Sequence, residues 1–151
     1  MKTRIAVVGI LAAVIVATPA LSTPGSGVTA PVLGRGVLAG PEKLKIRSDA
    51  SDVVVQQLTI APGGHTGWHS HHEPVVVLVT AGELTLYMAD DKKCRPHTYT
   101  AGEAFIDHGR GNVHIARNEG TTAVGLYATY LDVPVGGLFR IDHPDPGNCP
   151  F

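Results

Sequence analysis

The sequence predicts an all-β domain of the sandwich, jelly-roll or barrel class, and two observations carry that prediction. Short runs rich in β-branched and aromatic residues recur roughly every 8 to 12 residues. The turns between them use the 18 glycines and 11 prolines of the chain, and no helical period or internal repeat is evident. The predicted strands are Val53–Ile60, Val75–Thr80, Glu83–Met88, His97–Thr100, Ala104–Asp107, Val113–Arg117 and Thr122–Leu131.

Two of these runs predict different environments for their strands. In Glu83–Met88, leucine and methionine alternate with polar or amphipathic residues, which is typical of a strand with one buried face. Residues 75–79 are apolar without alternation, which is typical of a strand covered on both faces. Seven or more short strands at this spacing favour a closed or two-layered β fold.

The first 20 residues predict a cleaved signal peptide. Lys2 and Arg4 precede an apolar stretch, Ile5–Ala17, and small residues follow it, with cleavage expected after Ala20. About 13 apolar residues are short for a membrane span, which needs roughly 20. We therefore expect a secreted or extracytoplasmic protein, with an uncleaved N-terminal anchor as the alternative.

Composition divides the remaining chain into three parts. Residues 21–39 lack a hydrophobic period and predict a flexible segment, residues 40–135 form the predicted domain, and residues 136–151 are a tail rich in proline and glycine. The net charge of −1 and the pI near 6.7 argue against nucleic acid or an anionic membrane surface as partners. After signal cleavage we expect no membrane association.

The two cysteines, Cys94 and Cys149, predict a disulfide. An even number of cysteines in an exported protein favours pairing, because compartments outside the cytoplasm are oxidising. The bridge would close a loop of roughly 55 residues, worth about 4 kcal/mol in the chain-entropy model, and would tie the tail to the domain. Two free thiols, or a cysteine that binds metal, are the alternatives.

Four of the eight histidines lie within residues 65–72. If the chain is extended there, the two-residue period of a strand places His69 and His71 on one face. Neutral imidazole is the commonest protein ligand for metals, and His114, in a distant predicted strand, is the candidate for a third ligand. A solvated His-Ser-His-His turn with His114 hydrogen-bonded in the core is the commoner arrangement in general. The residue types alone leave both interpretations open.

The spacing of these histidines resembles the two motifs of the cupin superfamily. The first motif is Gly, five residues, His-x-His, three or four residues, Glu, six residues and Gly, and it is matched by Gly63, His69, His71 and Gly82. The second is Gly, five residues, Pro-x-Gly, two residues, His, three residues and Asn. It is matched in two halves by Gly102, Gly111, His114 and Asn118, with a loop one residue longer and His108 in place of the proline.

The resemblance covers roughly residues 40–135 and implies a single-domain cupin β-barrel, also described as a double-stranded β-helix or jelly roll. It also implies one divalent metal ion on His69, His71 and His114. With Trp68 and the C-terminal Cys-Pro-Phe, the sequence is most similar to the small exported cupins of actinobacteria.

One departure from the first motif changes the expected ligand set. Val75 stands where the family has glutamate, and an isopropyl group cannot bind a metal. The implied site therefore has three histidines and no carboxylate. Glu73 has the matching strand parity and is the candidate for an additional, displaced ligand, although it precedes Pro74 in a predicted turn.

The implied function is a metal-dependent enzyme that acts on a small organic molecule. Three-histidine iron sites occur among cupins that resemble cysteine and diketone dioxygenases, so a non-haem oxygenase is the first hypothesis, with Tyr87 and His108 as candidate acids or bases. The alternative is a barrel that binds a metal or a small ligand without turnover. Iron, zinc and manganese all suit the ligands. A homodimer is also expected, because exposed strand edges favour pairing.

Overall fold

The computed structural model describes residues 31–46 and 50–151, and residues 32–151 form one compact unit. These residues contain ten β-strands, and no helix occurs in the described part of the chain. The strands are β1 (Val37–Leu38), β2 (Asp52–Ile60), β3 (His69–Ser70), β4 (Val75–Ala81), β5 (Glu83–Met88), β6 (His97–Thr100), β7 (Glu103–Asp107), β8 (His114–Arg117), β9 (Val124–Val133) and β10 (Ile141–Asp142).

The strands form two five-stranded sheets. The first sheet has the order β1-β7-β4-β9-β2 and the second the order β10-β3-β8-β5-β6. All pairings between these strands are antiparallel except that of β1 with β7. From β2 to β5 and from β6 to β10 the chain alternates between the two sheets at each successive strand, and among these ten strands only β1–β2 and β5–β6 are consecutive strands of the same sheet, an order characteristic of a jelly roll. The prediction of an all-β jelly roll is confirmed.

The two sheets share one apolar core. Val75, Val77 and Val79 of β4 point inward from the first sheet, and Leu84 of β5 meets them from the second. The outward side chain of Leu78 is half-buried, and the N-terminal segment lies close to it at Gly34. The continuous apolar run of β4 is therefore explained by partial cover on its outer face as well as by burial on its inner face.

Each of the seven strands predicted from the sequence is present, with ends displaced by at most two residues. The bounds of β5 and β6 are identical to the predicted ones. Three strands of two residues were not predicted, namely β1, β3 and β10, because two residues are too few to show a period. β1 lies within the segment predicted to be flexible, where it pairs with Glu103 and Ala104.

The C-terminal tail covers the outer face of the second sheet. Cys149 forms a disulfide with Cys94, in agreement with the prediction, and both pack against a cluster of Trp68, Tyr87 and Ile115. The Asn148 side-chain amide donates to the carbonyl oxygens of Met88 and Asp91 at 3.1 and 2.8 Å. β10 adds two residues of sheet pairing to β3.

The predicted signal peptide, residues 1–20, lies outside the described residues. Across the part of the chain that is described, there is no helix of the length and hydropathy needed to cross a membrane.

We predict that the Cys94→Ser/Cys149→Ser variant loses stability but keeps the fold. The disulfide joins residues 55 apart in sequence. In the chain-entropy model its removal lowers the free energy of unfolding by about 4 kcal/mol. Urea denaturation followed by circular dichroism measures this change, and reduced wild-type protein should give the same curve as the variant. An unchanged denaturation midpoint would show that the bridge contributes nothing.

Candidate metal centre

Strands β3 and β8 bring three histidines together inside the barrel. His69 and His114 are directly opposite each other in the antiparallel β3–β8 pair, and His71 follows two residues after His69 on the same face. The ring centroids are 4.4 Å apart for His69–His114, 4.9 Å for His69–His71 and 5.3 Å for His71–His114. One ring nitrogen of each lies within 4.8 Å of those of the other two, a spacing suited to a shared metal ion.

Side chains along residues 69–71 alternate between the two faces of the second sheet, and the histidines are on the inner face. Ser70, between the two histidines in sequence, points the other way, and its hydroxyl is 2.9 Å from Nε2 of His143 in the tail. His69, His71 and His114 are only 5, 5 and 6% exposed. The three imidazoles are therefore interior groups rather than a solvated histidine turn.

Backbone carbonyl groups determine which nitrogen of each ring faces the centre. Nδ1 of His69 lies 2.9 Å from the Gly67 oxygen, Nδ1 of His71 lies 2.7 Å from the Phe139 oxygen, and Nδ1 of His114 lies 3.1 Å from the Asn112 oxygen. A carbonyl only accepts hydrogen bonds, so Nδ1 must carry the proton in each ring. In the neutral imidazole the unprotonated nitrogen is then Nε2, which is free to bind a metal ion.

All three histidines are neutral at pH 7. Burial, together with the nearby His114, lowers the pKa of His69 to about 3, although the hydrogen bond to Gly67 acts in the opposite direction. Burial likewise lowers the pKa of His71 and of His114. The positive charge of Arg140 contributes to the lowering at each ring. Metal binding at pH 7 therefore needs no proton to leave the cluster.

The histidines stand at one side of a small, mainly apolar cavity between the two sheets. Its volume is about 50 Å³, enough for a few water-sized groups. The histidines, Thr66, Asp107 and Tyr130 provide its polar atoms. The remaining lining residues are Leu58, Val75, Val77, Leu84, Leu86, Phe105, Ala116, Leu126 and Ala128.

A surface groove of about 260 Å³ adjoins this cavity on the side of β5, β6 and β7. Leu86, Phe105, Asp107 and His114 line both spaces. The rings of Tyr99 and Phe105 stack in the groove with centroids 4.1 Å apart. The groove and the cavity therefore share a wall, and His114 is the one histidine of the cluster that faces both spaces.

The structure places the other predicted site residues apart from the cluster. Glu73 lies in the loop between β3 and β4 and lines surface pockets beside His72, so its position does not fit that of a fourth ligand. Tyr87 points to the outer face of β5, where its hydroxyl donates to both Glu119 carboxylate oxygens at 3.0 Å. Its position does not fit an acid or base in the cavity. His108 lines the groove, with its Nε2 3.0 Å from a Glu42 oxygen.

Comparison with known proteins identifies the family. Residues 56–130 match the cupin domain family, and the chain belongs to the cupin superfamily. A comparison with curated proteins found no match.

Similar solved structures include a conserved Klebsiella pneumoniae protein with a double-stranded β-helix domain, at 20% identity and a TM-score of 0.48, covering 68% of this chain and 82% of that one. A cupin superfamily protein from Desulfitobacterium hafniense is 13% identical with a TM-score of 0.46, covering 58% of this chain and 73% of that one. An oxalate oxidase is 26% identical with a TM-score of 0.46, and the match covers 53% of this chain but only 42% of the oxidase.

Three groups of the centre are not among the residues that the sequence predicts for the site. Asp107 was recognised only as the end of a strand, and the Phe139 carbonyl is a backbone group with no sequence signal. Tyr130, whose ring centroid is 5.2 Å from that of His71, belongs to the alternating pattern of β9. For Asp107 the sequence does carry a signal, because this acidic residue follows the apolar run Ala104–Ile106 and has the same strand parity as Phe105.

We predict that the metal-free protein becomes less stable as the pH falls below about 6.5. The pKa of His69 is about 3 when folded. An unfolded histidine has a pKa of about 6.5, so the unfolded chain binds more protons between these values, and its free energy falls relative to that of the folded chain. From His69 alone we expect a loss of about 2 kcal/mol between pH 8 and pH 5.

Urea denaturation in the presence of a chelator, repeated across this pH range, measures the effect. The His69→Gln variant should show a shallower pH dependence, whereas the exposed control His72→Gln should match the wild type. Equal slopes for wild type and His69→Gln would contradict the assignment of His69 as a buried neutral imidazole.

Proposed function

We propose that the protein is an exported cupin that binds one divalent metal ion on His69, His71 and His114. The observation that supports this most directly is the shared orientation of the rings. Each Nδ1 is held by a backbone carbonyl, which leaves three Nε2 atoms for one ion. Three unprotonated nitrogens do not attract one another. A metal ion between them can bind all three, and this would explain why they lie so close together.

The donor set suits a borderline divalent ion with open coordination positions. Imidazole ligands suit iron, zinc and similar metals, and three of them leave room for water, substrate or dioxygen. When bound, the ion supplies Lewis-acid chemistry or, for iron, redox chemistry. The protein contributes a fixed ligand geometry, a mainly apolar cavity wall, and a surface groove that shares His114 with that cavity.

For the activity of this metal centre we propose a non-haem oxygenase that acts on a small organic molecule. The apolar cavity beside the histidines has space for a diatomic molecule but not for a substrate of ordinary size. The groove, at about 260 Å³, has space for a small molecule and a flat aromatic wall of Tyr99 and Phe105. A substrate in the groove and dioxygen in the cavity would meet at His114, which lines both spaces.

A second candidate function is metal or small-ligand binding without turnover. The small cavity favours it, because Val75, Val77 and Phe105 occupy much of the barrel interior. A protein that only retains an ion needs no larger space.

The Cys94–Cys149 disulfide supports an extracytoplasmic location, since such bonds persist in oxidising compartments. The predicted signal segment supports the same location. Together they support loading of the metal outside the cytoplasm.

We predict one metal ion per chain in the wild type and none in the His69→Ala/His114→Ala variant. Elemental analysis of protein purified from its native export route, and of protein reconstituted with iron, zinc or manganese, measures the stoichiometry. The His72→Ala/His97→Ala variant, which removes two exposed histidines, is the matched control and should retain the metal. Failure of the wild type to bind any of the three ions would overturn the proposal.

We further predict that the iron-loaded protein consumes dioxygen when given a suitable small diketone, thiol or carboxylic acid. An oxygen electrode with a panel of such compounds measures the rate, and the His69→Ala/His114→Ala variant gives the background. Uptake above this background supports the oxygenase. Stoichiometric metal without uptake for any compound would favour the binding function instead.

A further inference from the structure

A carboxylate, that of Asp107, lies close to Val75, the residue that stands where the first cupin motif has glutamate. Val75, at the position of the family glutamate, is directly paired with Asp107 in the antiparallel β4–β7 ladder. Residues directly opposite each other in such a ladder project their side chains to the same face of the sheet. The Asp107 side chain therefore enters the barrel on the side that the glutamate would occupy, from the neighbouring strand.

Asp107 lies in the interior beside the histidine cluster. Its side chain is only 12% exposed, and it lines the cavity together with His69, His71 and His114. Oδ2 is 3.6 Å from Nδ1 of His114. The negative charge of Asp107 acts to raise the pKa of both His71 and His114, against the larger effect of burial.

The two oxygens of Asp107 have different surroundings. Oδ1 accepts a hydrogen bond from the Gly109 backbone N–H at 2.9 Å, which anchors the carboxylate in a local turn. Oδ2 is buried and has no hydrogen-bond partner among the described residues. The nearest histidine proton, on Nδ1 of His114, is already donated to the Asn112 oxygen. A buried carboxylate oxygen without a partner is costly, so this oxygen points to a missing positive or proton-donating group.

The charges of the centre identify that group. Three neutral histidines leave both charges of a divalent ion uncompensated in a mainly apolar cavity. A single carboxylate would halve that charge, and a buried anion is stabilised by a nearby cation.

We propose that Asp107 replaces the missing glutamate as the carboxylate of this metal centre, with Oδ2 compensating the charge of the ion held by the three histidines. The inference rests on the proposed metal site and deepens it. Because Oδ2 lies 3.6 Å from Nδ1 of His114 rather than within the cluster of ligand nitrogens, Asp107 is a positioning residue that acts through the His114 ring. Charge compensation of this kind favours divalent ions and raises the affinity for them.

The test is the affinity for zinc and cobalt(II), measured by competition with a chromogenic chelator, in the wild type and in Asp107→Asn. Asparagine keeps the shape and the Oδ1 hydrogen bond but removes the charge. We expect metal binding about 10- to 100-fold weaker in the variant. Asp145→Asn is the matched control, because the exposed Asp145 makes the same turn with Gly147, at 2.8 Å, and its affinity should equal that of the wild type.

Thermal unfolding distinguishes charge compensation from a structural role. Without metal, Asp107→Asn should be at least as stable as the wild type, because it removes the charge of a buried carboxylate whose Oδ2 accepts no hydrogen bond among the described residues. With saturating zinc, the increase in Tm should be smaller in the variant. A metal-free variant that is less stable, with an unchanged zinc-induced increase, would identify a purely structural residue and overturn the inference.

A carboxylate placed at position 75, where the first cupin motif has glutamate, should restore part of the metal affinity that Asp107→Asn loses. In the Val75→Glu/Asp107→Asn variant the acid group comes from β4 again, and cobalt(II) affinity should recover relative to Asp107→Asn. If the larger side chain prevents folding, Asp107→Glu tests instead whether a charge kept on β7 preserves the affinity; affinity as low as that of Asp107→Asn would overturn the role of the charge.

The outcomes separate this inference from the metal site on which it rests. If the wild type binds no metal, both are overturned. If the wild type and Asp107→Asn bind metal equally well, the three-histidine site stands and only the role of Asp107 is overturned.

Discussion

The antiparallel pairing of β3 with β8 is the contact on which the centre depends. It joins two segments 45 residues apart and sets His69 directly opposite His114. β3 is only two residues long, and its position is maintained by neighbours on both sides, β8 and β10. The sheet thus brings the ring nitrogens of His69 and His114 together by backbone hydrogen bonds between β3 and β8.

The C-terminal tail is part of the same support. Its Phe139 carbonyl orients the ring of His71, and its Arg140 guanidinium donates to the Thr66 carbonyl oxygen at 2.7 Å. Farther along, the disulfide at Cys149 fastens the tail to the outer face of the second sheet. The tail, whose composition predicts little structure, is therefore held at two places. Near its start the Phe139 carbonyl contacts His71, and near its end Cys149 is bonded to Cys94. The tail acts as cover for the site rather than as a loose terminus.

The replacement of glutamate by valine explains why the centre is arranged as it is. Val75 is 1% exposed and packs in the shared core, so the barrel gains apolar contact where the family has a ligand. The carboxylate of Asp107 enters the interior from the paired strand β7, with Oδ2 3.6 Å from Nδ1 of His114. Asp107 and His114 also line the surface groove. Asp107 ends β7 and His114 begins β8, so the short segment between these strands joins the carboxylate, one histidine of the cluster and the wall of the groove.

The sequence by itself determined the β class, the seven longer strands, the disulfide pair and the three clustered histidines. These features depend on local periodicity, on cysteine number, or on motif spacing along the chain. Only the tertiary structure decided that Asp107 lies opposite Val75 and that the Phe139 carbonyl oxygen lies 2.7 Å from Nδ1 of His71. Register between strands and the path of the tail arise from contacts between distant residues, and no local pattern encodes them.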